Sequence, residues 1–207
     1  MNLVETTAVE QNEDTALRAM FAARKEVFVD LLNWNVPVLA NRFEIDHFDN
    51  PDARYLILLD DTGRHRASAR LLPTTVPHIL DSLFPELCEE ELPRGEKVFE
   101  ITRFCLDRHQ SALERRAARN RLVSAIADFA LANDIVTYTG VAELAWLKQI
   151  LTFGWRCRPL GPPRHVDGQM LAALRIDIDH DTITHLMGTG IYDPNMQRST
   201  RPFQKAA

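Results

Sequence analysis

The sequence has no apolar run approaching the roughly 20 residues that a membrane-spanning helix requires. Its opening stretch, MNLVETTAVEQNEDT, is acidic and lacks the apolar centre of a secretory leader. Together these absences predict a protein that acts in the cytoplasm and away from membranes. Cysteine is scarce: Cys88, Cys105 and Cys157 are odd in number, far apart and outside any CxxC pattern. That excludes a disulfide framework and a thiolate metal site, and predicts reduced, unpaired thiols. The histidines fall at no ligand spacing such as HxxxH, so no metal is expected. No internal repeat or low-complexity tract is present. A net charge of only −5 gives no global reason to expect a nucleic-acid partner, so an anionic partner must be met by a local patch.

What is present is enough apolar material, 45% of 207 residues, for one sizeable core, which predicts a single domain. Asp14 is placed to cap a helix whose face carries Leu17, Met20, Phe21, Val27, Phe28 and Leu31. Residues 33–49 show no sustained period and predict a long loop with functional potential. YLILLD, the turn at residues 61–63 and ASARLL predict a hairpin. A small helix is expected around Ile79 to Phe84, then a strand from Lys97 to Leu106 and a long helix from Ala112 to Ala132 closed by Asn133-Asp134. A strand (IVTYTGV), a helix from Ala142 to Leu151 and a strand in MLAALRIDI follow. Beyond Asp181 a loose tail or a short helix is expected, giving a boundary between residues 1–180 and a tail of 181–207. This order argues for an α+β or mixed α/β domain on one central sheet.

Four features resist a purely structural reading. Arg24 lies on the apolar face of the first helix, where a guanidinium either snorkels to the rim or binds an anion. Asp46 and Asp49 stand beside Phe43 and Phe48, a combination that suits a cationic ligand or is simply a pair of solvated loop acids. Glu100 and Arg103 interrupt the apolar strand VFEITRFCLD; regular pleating sends them to opposite faces, and a bulge between them brings both to one side. Arg70, in a neighbouring strand, is a further charge that can join them. Finally, Arg115, Arg116, Arg119 and Arg121 crowd the start of the long helix, where cations oppose the macrodipole. They mark either a solvated basic face or a contact for phosphate.

Read in order, Arg24, Phe28, Trp34, Asp46, Asp49, Arg70, Phe84, Glu100 and Arg103 resemble the signature set of the LuxI-type acyl-homoserine-lactone synthases. The likeness spans residues 8–178 and rests on R-x-x-x-F-x-x-x-x-x-W, E-I-D-H-F-D, A-S-A-R-L and E-I-T-R-F, with FGW and LGPP as support. It implies a fold similar to the GCN5-related N-acetyltransferases, a mixed α/β sandwich around a single central twisted sheet flanked by helices. The implied activity is amide-forming transfer of an acyl group from an acyl-carrier protein, or acyl-CoA, to the amine of S-adenosylmethionine. Lactone closure with release of methylthioadenosine follows, and S-adenosylmethionine is a substrate, with no cofactor implied.

Carried over by residue, the resemblance assigns Arg24, Phe28 and Trp34 to the S-adenosylmethionine pocket and sets Asp46 and Asp49 to contact or organise around that ligand. Arg70, Glu100 and Arg103 fall at the reacting centre, with Glu100 as base for the α-amine, directly or through a water. Phe84, Thr102, Thr137 and Thr139 line the acyl pocket, although Phe84 suits a core anchor equally well and threonine is a good strand former. A hydroxyl at Thr137 or Thr139 is suited to a 3-oxo group. Arg115, Arg116 and Arg119 are expected to contact the carrier or its phosphopantetheine. ERRAARNRL has no glycine where acetyltransferases cradle pyrophosphate, which leans toward a carrier protein. The rival readings are a general N-acyltransferase acting on another amine and a catalytically silent ligand-binding homologue.

Overall fold

The computed structural model describes residues 3–192, 194 and 203–204. Helix α1 spans Leu3–Arg24 and passes directly into a π-helical turn, Lys25–Val29. The helix therefore begins well before Asp14, the cap expected from sequence. Ala16, Met20, Arg24, Val27 and Phe28 are its buried positions among the described side chains. Leu31, expected on that face, is exposed because the widened π turn ends the helical register before it. The expected loop of residues 33–49 holds two short strands, β1 (Val38–Leu39) and β2 (Phe43–Glu44), paired antiparallel.

The hairpin forms as β3 (Arg54–Leu59) and β4 (His65–Pro73), turned on Asp60 and Gly63, whose φ of 78° suits glycine. Helix α2 (Ile79–Leu83), strand β5 (Val98–Leu106) and helix α3 (Ala112–Ala132) then follow at the expected places. Ser111 and Glu114 cap α3 reciprocally: the Ser111 amide and hydroxyl both donate to the Glu114 carboxylate. Asp134, with φ 53°, ends that segment in the left-handed region, as Asn133-Asp134 predicted. Next come β6 (Thr137–Glu143), α4 (Leu144–Ile150), β7 (Arg156–Pro159), β8 (Arg164–Val166), β9 (Gln169–Asp177), α5 (Thr182–Gly188) and β10 (Phe203–Gln204). Strands β7 and β8 are too short and too polar to be read by periodicity. The expected short terminal helix is α5, and the rest of the expected tail, apart from residues 189–192, 194 and 203–204, lies outside the described residues.

Eight strands form one mixed sheet. Pairing is parallel between β5 and β6, joined through α3, and antiparallel where β6, β7 and β8 meet β9. By packing, the chain forms two compact units: residues 1–70, 103–122 and 200–207, and residues 71–102 and 123–199. Within the first, Met20, Phe48, Leu56, Ile57, Ala67 and Leu122 are buried, and Val27, Phe28 and Cys105 cluster with Ala23 and Trp34. Within the second, Leu80, Leu87, Leu160 and Ala173 form a cluster joined by Phe84, Val141 and Leu171.

The two faces of β6 are told apart by hydrogen bonding. The Tyr138 hydroxyl donates to the Ile126 carbonyl of α3, so Thr137, Thr139 and Val141 point away from that helix. Gly140 lies where β5 comes close; a Cβ there would stand 3.1 Å from the Ile101 carbonyl oxygen.

Candidate active site

The first unit contains a closed ring of six alternating charges. Arg24 donates through Nε to Glu44 at 2.5 Å and through Nη1 and Nη2 to the two oxygens of Asp49 at 2.8 and 2.9 Å. Arg103 donates to Glu44 through Nε and Nη2 at 3.1 and 3.0 Å, and to Asp46 through Nη2 at 2.7 Å. Arg70 grips Asp46 at 2.6 and 3.1 Å and closes the ring on Asp49 at 2.8 Å. Three arginines and three carboxylates cancel, which is what allows so many charges to be buried together.

Local backbone places each member. The π turn at residues 25–29 follows Arg24 directly, and the Phe28 carbonyl accepts from the Trp34 amide at 2.8 Å. Asp46 and Asp49 brace their own loop: the Asp46 amide donates to Asp49, and the Phe48 amide to Asp46. Arg103 has a φ of 50° in the middle of β5, a left-handed backbone that is uncommon for a non-glycine residue in a strand. The arginines also sit over aromatic rings: Arg24 over Phe21, Arg70 over Phe48, and Arg103 over both Phe28 and Trp34 at 5.7 and 5.8 Å. Phe28 and Trp34 are themselves stacked, with centroids 4.7 Å apart.

The electrostatics follow from burial and pairing. Burial opposes the charge on Arg24, and the adjoining Asp49 and Glu44 outweigh it, so its pKa stands above the ordinary value. For Asp49 and Asp46 burial pushes the pKa up, but the hydrogen-bonded arginines overcome it and hold both below the usual carboxylate range. Tyr55 donates to Asp49 at 2.9 Å, and burial together with that carboxylate raises the phenol's pKa.

Access to the ring is uneven. The side chains of Arg24, Glu44, Asp49 and Arg70 are at most 1% exposed, against 7% for Asp46 and 10% for Arg103. Arg24 therefore does not snorkel: its fork is spent on two carboxylates of the same chain. Glu44 and Tyr55 are site residues that sequence reasoning missed. The signal for Glu44 was the alternation E-I-D, which puts residues 44 and 46 on one side of an extended segment.

In the second unit, Glu100 is completely buried and its two oxygens accept from the Ile79 and Leu80 amides at 2.8 and 2.9 Å. It is the register partner of Thr139. The Thr139 hydroxyl is buried without a hydrogen-bond partner. The Thr137 hydroxyl donates to Asp177 at 3.2 Å and accepts from Arg175 at 3.4 Å. Thr102 is buried two residues from Glu100, and Phe84 packs on the apolar cluster.

On α3, Arg116 is exposed and Arg115 donates to the Asp107 carbonyl, while Glu114 is taken by Arg66. Burial, and to a lesser degree neighbouring Arg116, lower the pKa of Arg119. Among the described residues Asp179, His180 and Asp181 are close enough to share a cation, but Arg156 already pairs with both acids. Burial pushes Cys105 and Cys157 up to about 12, so neither thiol is reactive. No helix among the described residues is long and apolar enough to cross a membrane.

Comparison with known proteins places this geometry. The chain matches the Autoinducer synthase family over residues 8–186. It is 33% identical to an acyl-homoserine-lactone synthase of Rhizobium etli, covering 79% of this chain and 78% of that one. The solved structure of BjaI, a CoA-dependent acyl-homoserine lactone synthase with SAM and isopentyl-CoA, superposes with a TM-score of 0.78 at 28% identity, covering 89% of this chain and 85% of that one. A Lactobacillus plantarum protein described as an N-acetyltransferase has a TM-score of 0.54 at 16% identity, covering 81% of this chain and 92% of that one, a likeness of fold alone. With a mixed sheet flanked by helices and an acyltransferase fold, this chain belongs to the autoinducer synthase family and is an enzyme of the acyl-homoserine-lactone synthase type.

Proposed function

We propose that this enzyme joins an acyl thioester to S-adenosylmethionine, with the charged ring of the first unit holding the latter. The α-amine attacks the thioester carbonyl, the thiol departs with a proton, and an amide forms. The carboxylate then displaces the sulfonium sulfur from carbon, closing the lactone and releasing neutral methylthioadenosine. The carrying observation is the Arg103 edge of the ring. Its Nε and Nη2 are committed to Glu44 and Asp46, which leaves Nη1 for a substrate carboxylate. The Phe28–Trp34 stack lies under it, and the buried Trp34 indole N–H has no partner of its own. An aromatic wall, a free donor and an accessible acid at Asp46 suit a zwitterion bearing a sulfonium. Arg24, Asp49 and Arg70 act by fixing Arg103 and Asp46.

Glu100 serves as base for the α-amine. Its two oxygens accept from the Ile79 and Leu80 amides, which hold the carboxylate in a fixed orientation, and a carboxylate so placed suits proton transfer from the amine directly or through a water. Thr139 and the apolar cluster around Phe84 take the acyl chain. Arg115, Arg116 and Arg119 meet the phosphate of a carrier-borne or coenzyme-borne pantetheine, supported by the grouping of these guanidinium side chains near the start of α3. The reaction runs in the cytoplasm on substrates made there.

The test is to supply S-adenosylmethionine with acyl-carrier-protein and acyl-CoA thioesters, following methylthioadenosine release and product mass. Methylthioadenosine with an acyl-homoserine lactone is the expected result. Acyl transfer to a different amine without methylthioadenosine would replace this reading with a general N-acyltransferase.

A further inference from the structure

His78 precedes α2 and is fully buried, yet its Nε2 has no hydrogen-bond partner. Nδ1 stands 3.0 Å from the Val76 carbonyl oxygen and 3.5 Å from Asp81 Oδ1. Both of those neighbours can only accept, so Nδ1 carries the proton and Nε2 presents a lone pair. A buried acceptor left unpaired is unfavourable, and such a group calls for an explanation.

A second buried polar atom without a partner is Thr139 Oγ1 on β6. Thr139 is the register partner of Glu100, and side chains at paired positions of neighbouring strands share a face. Glu100 accepts from the amides of Ile79 and Leu80, the two residues that follow His78, so α2 covers this face. His78, next in the chain to the amides that hold Glu100, and Thr139, its register partner, thus both border the position of that carboxylate. His78 Nε2 can only accept; the Thr139 hydroxyl has a proton to donate. Two residues farther along β6, Val141 joins the apolar cluster of Leu80, Phe84, Leu171 and Ala173.

We propose that His78 is a specificity-determining residue for the acyl donor, accepting at Nε2 a hydrogen bond from a hydroxyl on the acyl chain whose oxygen accepts from Thr139. This rests on the assignment of the acyl chain to this face. An apolar tail lies on the cluster, and the hydroxyl falls near the Glu100 end, close to the thioester carbonyl, which is the 3-position of the chain. A 3-oxo group can satisfy Thr139 but offers nothing to His78. An unsubstituted chain leaves both atoms unpaired. Sites built to pair a substrate hydroxyl reject the analogue without it more strongly than sites that merely tolerate it.

The experiment compares 3-hydroxyacyl, 3-oxoacyl and unsubstituted acyl thioesters of one chain length, each with S-adenosylmethionine, in the wild type and in His78→Leu and His78→Gln. The wild type is expected to favour the 3-hydroxyacyl thioester by at least about tenfold in kcat/KM over the unsubstituted one. His78→Leu should abolish that preference, while His78→Gln, which places an amide oxygen near the lost Nε2, should retain part of it. A wild type that prefers the 3-oxo or unsubstituted donor overturns the proposal even if neither variant folds. So does a preference that survives in a folded His78→Leu. Release of methylthioadenosine from S-adenosylmethionine with any of these donors keeps the synthase reading intact in either case, whereas its absence with every donor removes that reading and this one together.

Discussion

Replacing Arg24 by lysine tests the charged ring most directly, because it preserves the charge and removes only the fork. In the native protein Arg24 makes three charge-assisted hydrogen bonds, one to Glu44 and two to Asp49. A lysine ammonium is a point donor on a flexible stem and can serve one of those carboxylates at full strength. Two bonds are then lost at about 1.5–3 kcal/mol each, and one buried carboxylate is left short of its partner. Both partners are essentially sealed from water, so solvent cannot replace what is lost. The expected loss is about 3–5 kcal/mol, the range found when a buried pair is broken. Urea denaturation of the wild type and Arg24→Lys, followed by fluorescence, measures it directly. A fall in apparent affinity for S-adenosylmethionine should accompany it, since Glu44 also holds Arg103. A loss below about 1 kcal/mol would refute the reasoning, showing that the ring is held by net charge alone and that fork geometry contributes nothing.

Glu100→Gln should lower stability as well as rate, because its amide NH2 must face one of two backbone donors now bound by carboxylate oxygens; about 1–3 kcal/mol in thermal unfolding is expected, and an unchanged Tm with a slowed reaction would separate a purely chemical role. His65 is buried and burial lowers its pKa to about 4, against about 6.5 unfolded. The unfolded chain therefore binds the extra proton, so a contribution of about 3 kcal/mol is fully present above pH 6.5 and is lost as pH falls from 6.5 to 4. In His65→Gln that part of the pH dependence of urea unfolding should vanish. Arg116→Glu should raise the KM for a phosphopantetheine-borne donor several-fold, leave the KM for S-adenosylmethionine alone, and weaken the salt dependence of the former. Equal effects on both substrates would remove the arginine cluster from donor binding.

Much of this was legible in the chain itself. The long helix α3 spans the predicted residues because apolar positions recur at helical spacing over many turns. The hairpin of β3 and β4, the small helix α2 and the strands β5 and β9 were equally plain from alternation and turn chemistry. Glu100 and Arg103 stood out because they interrupt an apolar strand, which raised either a bulge or an edge position, and Arg103 does adopt a left-handed backbone. Strands β7 and β8 escaped notice because segments of four and three residues with charged side chains carry no period to read.

The residue types of the active site were thus determined locally: arginines, acids and aromatics stand out wherever an apolar pattern is broken. Only the tertiary structure decided what each one touches. Sequence alone left the acids as a cation site or solvated loop residues and Arg24 as a rim residue or an anion site, whereas folding turns them on one another. Glu44, unremarkable in its loop, became a hub because residues 24 and 103, far apart in the chain, both bring a guanidinium to it. His78 and Thr139 likewise gained significance only once buried, since an unpaired polar atom is costly in a protein interior and costs nothing in water. Periodicity reports which residues leave water; hydrogen-bond partners depend on distances across the fold, which no local pattern encodes.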